Sequence, residues 1–306
     1  MSNEALTSEQ SLAANGKSFH WARRFLGDRM GHDAARLYAF CRLLDDMADG
    51  DIEDGPARLA AIRQDLLAGR EGCDPAFAAF LPLMRETSFP PEVLVALIDG
   101  LLEDQADEVA LADEAALLRY AYRVAGTVGL LMCHVLDCHS PSARAHAIDL
   151  GIAMQLTNIA RDVLEDAQMG RRYIPGDWIG GATPADICAA ASNPASPDAA
   201  AITASVGRLL DRAEEFYASG ASGYRYLPWR AHLSIAVAAR VYRQIGVQLR
   251  GAGLAWHQGR QVTSKSTKLR CSALALASFR HRIGGTAGSL HDPGLHAALK
   301  GLPYVA

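Results

Sequence analysis

Helical periodicity runs through almost the whole chain. Stretches such as "LAAIRQDLLAG" and "AHLSIAVAARVYRQIGVQLRG" repeat apolar residues at three- and four-residue intervals, as helices with a buried face require. Runs of alternating β-branched residues closed by hairpin turns are missing, which favours helix almost throughout. The periodic stretches cover 5–48, 55–69, 91–110, 114–136, 141–168, 198–220, 229–252 and 265–283, separated by breaks such as "GDIEDGP", "SFPP" and "SPS". Helices joined by such short loops form an all-α bundle. One domain is expected over 1–283, followed by a loosely packed C-terminal tail over 284–306. The longest irregular region, from 174 to about 200, reads as a surface excursion with one short helix near Asp186.

Composition narrows the function. With 306 residues, half of them hydrophobic, and a net charge of -4, the chain can bury a large core and has no electrostatic reason to seek nucleic acid. Neither a phosphate-binding G-x-x-x-x-G-K-[ST] loop nor a G-x-G-x-x-G after a strand is present. The six cysteines are scattered without a C-x-x-C pair, which suits packing in a reducing compartment. The start "MSNEALTSEQ" is unlike a signal peptide, and the most apolar run, "VAGTVGLLMCHVL", is too short to span a bilayer. A cytoplasmic location is expected.

Two polar stripes stand out. In "LYAFCRLLDDMADG", Tyr38, Arg42, Asp45 and Asp49 fall within about 60° of helical arc, while Leu37, Phe40, Leu44 and Met47 lie off it. In "QLTNIARDVLEDAQMGRRYIP", Gln155, Asn158, Asp162 and Asp166 fall within about 80°, and Glu165 is displaced by about 80° from Gln155. Two helices carrying aspartates at the same four-residue spacing suggest a facing pair. Four carboxylates around a cavity repel one another unless divalent cations join them, and oxygen ligands favour Mg²⁺ or Mn²⁺ over zinc. Arg161, Arg171 and Arg172 flank the second stripe, and guanidinium forks suit diphosphate oxygens. The competing reading is a pair of solvated acidic faces. A di-iron bundle would want Glu-x-x-His, and no histidine follows a glutamate at that spacing.

"LYAFCRLLDDMAD", "YAYRVAGTVG" and "QLTNIARDVLEDAQMGRRYIP" resemble, in order, the three signature segments of the squalene/phytoene synthase family, and "GKSF" at 16–19 resembles its substrate flap. The resemblance covers roughly residues 12–265. It implies a single-domain isoprenoid synthase bundle with a central cavity and head-to-head joining of two allylic prenyl diphosphates. It further implies Asp45, Asp49, Asp162 and Asp166 as Mg²⁺ (or Mn²⁺) ligands, with Asn158 beside them. Ser18, Phe19, Tyr38, Arg42, Gln155, Asn158, Arg161 and Arg171 would contact substrate or metal-bound water, and Tyr120 and Tyr242 would face the reacting centre. Both tyrosines also fit an ordinary buried core. Arg172 stands where an apolar residue is usual, and the family's late arginine has a shifted counterpart in Arg260 of "GRQVTS".

Within the family, the wording of "SFHWARRFLG" and "RDVLEDAQMGRRYIP" is most similar to bacterial phytoene synthases. That similarity implies condensation of two geranylgeranyl diphosphates to phytoene without NADPH, with peripheral contact to the inner face of the membrane for product release. Oligomeric state is left unassigned. The alternatives are squalene or dehydrosqualene formation from farnesyl diphosphate, or a non-catalytic assembly role. Gly126 and Gly129, each costing roughly 1 kcal/mol within a helix, mark close approach of either a prenyl chain or a neighbouring helix.

Overall fold

The computed structural model describes residues 17–72, 74–105, 109–261, 263–279 and 290–305. Among them twelve α-helices follow in order: α1 (Lys17–Arg23), α2 (Asp28–Ala48), α3 (Gly55–Ala68), α4 (Pro75–Thr87), α5 (Pro91–Glu103), α6 (Glu114–Ala121), α7 (Thr127–Val135), α8 (Ala143–Gln168), α9 (Pro184–Ser192), α10 (Pro197–Ser222), α11 (Trp229–Gly251) and α12 (Lys265–Phe279). Two-residue strands β1 (Val109–Ala110) and β2 (Arg171–Arg172) pair in parallel.

Helix α8 is the centre of the bundle. It packs against α7, α9, α10 and α11, while α2 packs against α3, α4, α5 and α7. The helices bearing the two stripes therefore share α7 as a neighbour. Leu37, Leu44 and Met47 of α2 are fully buried, and Ile152, Ala153, Leu156 and Ala160 do the same for α8. Burying a side chain of the larger kind contributes about 1.5–3 kcal/mol, which orients each helix with its stripe toward what remains open.

A π turn, Tyr122–Gly126, joins α6 to α7. Here glycine is required by contact. A Cβ on Gly129 would lie 2.2 Å from the Ala147 carbonyl oxygen, and one on Gly151 would lie 2.3 Å from that of Ala125. Close approach at Gly129 is thus to the backbone of α8.

Three differences from the sequence pattern have local causes. The stretch 5–48 breaks at Gly27, whose φ of 80° suits glycine; its first residues lie outside those described. Helix α4 escapes the periodic reading because Pro82 lies inside it, yet its start is well marked: Pro75 occupies the first turn, and the Asp74 carboxylate accepts from the Ala76 and Phe77 amides. The stretch 91–110 ends at Glu103, and its last two residues form β1. The short helix near Asp186 is α9, opened by a reciprocal Thr183–Asp186 capping box.

The expected loose tail is corrected. Residues 280–289 lie outside the description, but from Leu290 the chain docks on the bundle through a 3-10 turn, Pro293–Leu299. Leu299 is fully buried, Arg119 donates to the Ala298 and Lys300 carbonyls, and the Tyr122 hydroxyl donates to that of Pro303. Weak periodicity concealed this packing because a single turn buries too few residues to register as a pattern. The five described cysteines are free thiols, and no helix among the described residues is long and apolar enough to cross a membrane.

Candidate active site

Between α2, α7, α8 and α11 runs an apolar cavity of about 480 Å³. Leu37 and Cys41 line it from α2, Val128 and Met132 from α7, Leu150 and Met154 from α8, and Ile235 and Ala238 from α11. It merges with a polar mouth of about 120 Å³ through Asp45, Leu101, Asp104, Tyr120, Gln155 and Asn158, which border both. Asp49, Asp162, Asp166, Arg171 and Tyr173 complete the mouth. The two stripes do face one another, and the solvated-face reading fails.

Each arginine at the mouth holds an aspartate. Arg42 donates to Asp45 at 2.5 Å and also pairs with Asp46. Arg171 donates to Asp49 at 2.9 Å. Asp162 receives two forks, from Arg161 (Nε at 2.7 Å) and from Arg260 (Nε at 2.8 Å, Nη2 at 3.0 Å). The backbone at Asp162 departs from the helix (φ -104°, ψ 15°), so α8 bends at that residue.

Burial, then crowding by like charges, sets the electrostatics. Asp45 is pushed up to about 6 by burial, with Arg42 opposing and Asp49 and Asp46 adding repulsion. Asp166 is pushed up to about 7 by burial and by Asp162. Asn158 donates to Gln155 Oε1 at 3.4 Å, but its own buried Oδ1 has no hydrogen-bond partner among the described residues. An orphaned oxygen beside carboxylates that resist ionisation is a donor set that a hard cation satisfies.

The remaining expected residues divide clearly. Tyr38, Tyr242 and Phe19 line the cavity, and the Phe19 ring lies 5.1 Å from Tyr242 and 6.2 Å from Tyr38, so α1 closes one side. The side chain of Ser18 lies outside those described. Tyr120 stacks on Tyr173 at 4.7 Å, and both hydroxyls donate to Asp104, at 2.8 and 3.0 Å. Asp104 and Tyr173 were not anticipated from the sequence. Burial pushes Asp104 up to about 6 despite those two bonds. A carboxylate just past the end of the apolar helix "PEVLVALIDGLLE" was the available signal. Arg172 is buried away from the mouth, donating to the Leu111 and Ile174 carbonyls at 2.8 and 2.7 Å. It fixes β2, which aims Arg171.

Comparison with known proteins agrees. The family pattern "Squalene/phytoene synthase" matches residues 12–267. The chain is 38% identical over 281 residues to a 15-cis-phytoene synthase of Paracoccus sp. (strain N81106 / MBIC 01143), covering 88% of this chain and 90% of that one. It is 36% identical over 275 residues to a phytoene synthase of Pseudescherichia vulneris, covering 85% and 87%. Among solved structures, a dehydrosqualene synthase in complex with ligand superposes with a TM-score of 0.75 at 26% identity, covering 89% of this chain and 95% of that one. The matched span contains both aspartate stripes and the whole lining of the mouth, and on these grounds the chain belongs to the squalene/phytoene synthase family.

Proposed function

We propose that this protein is a prenyltransferase that condenses two geranylgeranyl diphosphates head to head to phytoene, with Mg²⁺ or Mn²⁺ and without NADPH. The observation that carries the reading is the joining of an apolar cavity of about 480 Å³ to one aspartate-ringed mouth. A prenyl chain suits the first and a metal-bound diphosphate the second. The identity of the bacterial relatives as phytoene synthases supports the choice of substrate.

Asp45, Asp49, Asp162 and Asp166, with the Asn158 oxygen, would hold the metal, and when bound it supplies charge stabilisation for the departing diphosphate. Arg42, Arg171 and Arg161, with Gln155 and Ser18, would bind diphosphate oxygens or metal-bound water, and Arg171 would draw charge from the leaving group. Tyr38 and Phe19 would close the cavity over the reactants. As the first C1–O bond breaks, the allylic cation is attacked by the double bond of the second substrate, and loss of a proton closes a cyclopropylcarbinyl diphosphate. The second diphosphate then departs, the cation rearranges, and a second proton is lost to give phytoene and two diphosphates. Apolar walls and the rings of Tyr120 and Tyr242 would keep water from both cations.

The test offers purified protein both geranylgeranyl and farnesyl diphosphate, with and without NADPH, and identifies the hydrocarbon. Phytoene formed without NADPH is expected. Squalene formed only with NADPH, or dehydrosqualene with geranylgeranyl diphosphate ignored, would overturn the substrate assignment. We also place the protein in the cytoplasm, touching the inner membrane face through the exposed Leu269, Leu274 and Leu276 of α12; co-flotation with anionic vesicles, reduced by Leu→Ser changes there, checks this.

A further inference from the structure

On the outer side of α8, away from the acidic mouth, three chemistry-bearing side chains converge. Asp149 of α8 is completely buried, and it meets two histidines from the docked C-terminal segment. His296 Nε2 lies 2.7 Å from one carboxylate oxygen and His291 Nε2 2.9 Å from the other. One donor atom from each of the three residues lies within 4.8 Å of the others. Both histidines lie beyond the span matched to the family, so nothing in the shared reaction calls for them.

We propose that Asp149, His291 and His296 form a Zn²⁺ site that fastens the C-terminal segment to α8. A simple hydrogen-bonded cluster accounts for His296, which bonds to Asp149 Oδ1, and for Ser219, whose hydroxyl donates to Oδ2. His291 fits it less well: its Nε2 lies 2.9 Å from Oδ2, close enough to pair with the carboxylate, but at an angle that makes no well-directed hydrogen bond among the described residues. A cation between the three donors satisfies that nitrogen and the buried carboxylate together, with each imidazole carrying its proton on Nδ1. Two imidazole nitrogens and one carboxylate oxygen are a borderline set that selects Zn²⁺ over Mg²⁺, which prefers oxygen alone. Both histidines also border a cavity of about 390 Å³ with Arg144 and Tyr304, which leaves room for water in the fourth position.

The experiment uses full-length protein stripped with a chelator and returned to excess Mg²⁺, so that the acidic mouth is supplied. Zn²⁺ is then titrated by calorimetry and thermal melting, and Co²⁺ is added as a spectroscopic probe. One Zn²⁺ per chain, a Tm rise of several degrees and visible d–d absorption from Co²⁺ are expected. All three should be lost in His291→Ala and His296→Gln and kept in Asp49→Asn. His291 is the more exposed of the two, so if His296→Gln fails to fold, His291→Ala decides. No stoichiometric Zn²⁺ in the wild type, equal binding by His291→Ala, or loss of the signal in Asp49→Asn would each overturn the site.

Discussion

Asp49 and Glu165 are both acidic residues near a stripe of aspartates, yet only Asp49 borders the mouth. Helical phase predicted that separation, because one residue of displacement turns a side chain by about 100°. Asp49→Asn is expected to lower kcat by at least about 100-fold, in line with the loss of one charge-stabilising group, while Glu165→Gln stays within a few-fold; steady-state kinetics on folded proteins checks the pair. Phase could not reach Asp104, Tyr173 or Arg260. They come from just past the end of a helix, just past β2 and from a loop, and only tertiary packing brings them to the stripes. A second expectation concerns Tyr173→Phe. Removing one of two donors to the buried Asp104 raises that carboxyl further and disfavours its charged form. Turnover should fall, and the acid limb of the kcat profile should move to higher pH.

Contacts between elements are tightest where the π turn and α7 meet α8, at Gly151 and Gly129. Gly129→Ala forces a methyl against the Ala147 carbonyl, and a loss of about 1–3 kcal/mol is expected, measurable by denaturant unfolding. The sequence had left a prenyl chain and a neighbouring helix as equal explanations, since a one-dimensional pattern does not say which object approaches. Helix α4 was missed for a related reason. Pro82 signals a break, and only the burial of Phe77, Phe80 and Leu83 on one side shows that tertiary contact overrides it. Its Asp74 cap offers a pH test. Burial raises this carboxyl, but the Arg58 fork and the Ala76 and Phe77 amides outweigh that and hold it below the usual range. Its contribution is therefore complete above about pH 4 and fades as pH falls through the lower folded value. Because Asn caps about as well as Asp, the stability gap between wild type and Asp74→Asn isolates the charge. It should be on the order of 1 kcal/mol near neutrality and close on acidification below about pH 4.

For the molecule as a whole, the end of the chain belongs to the bundle. Deleting residues 290–306 removes the fully buried Leu299 and the bonds from Arg119 and Tyr122. Roughly 3 kcal/mol or more should be lost even in chelator-treated protein, seen as a lower denaturation midpoint. The ion pairs at the mouth act over a comparable distance, since Arg171 on β2 holds Asp49 after α2, and Arg260 before α12 holds Asp162 on α8. Every one of these partners has a better match outside the protein: a cation for the carboxylate, an oxyanion for the guanidinium. Either ligand arriving alone must break the pairs and strand half of each. Together they exchange all partners at once, so each raises the affinity of the other by the same factor. Calorimetric titration of Mg²⁺ with and without inorganic pyrophosphate should show this positive cooperativity, and Arg260→Ala, by removing one of the two forks on Asp162 beforehand, should weaken it.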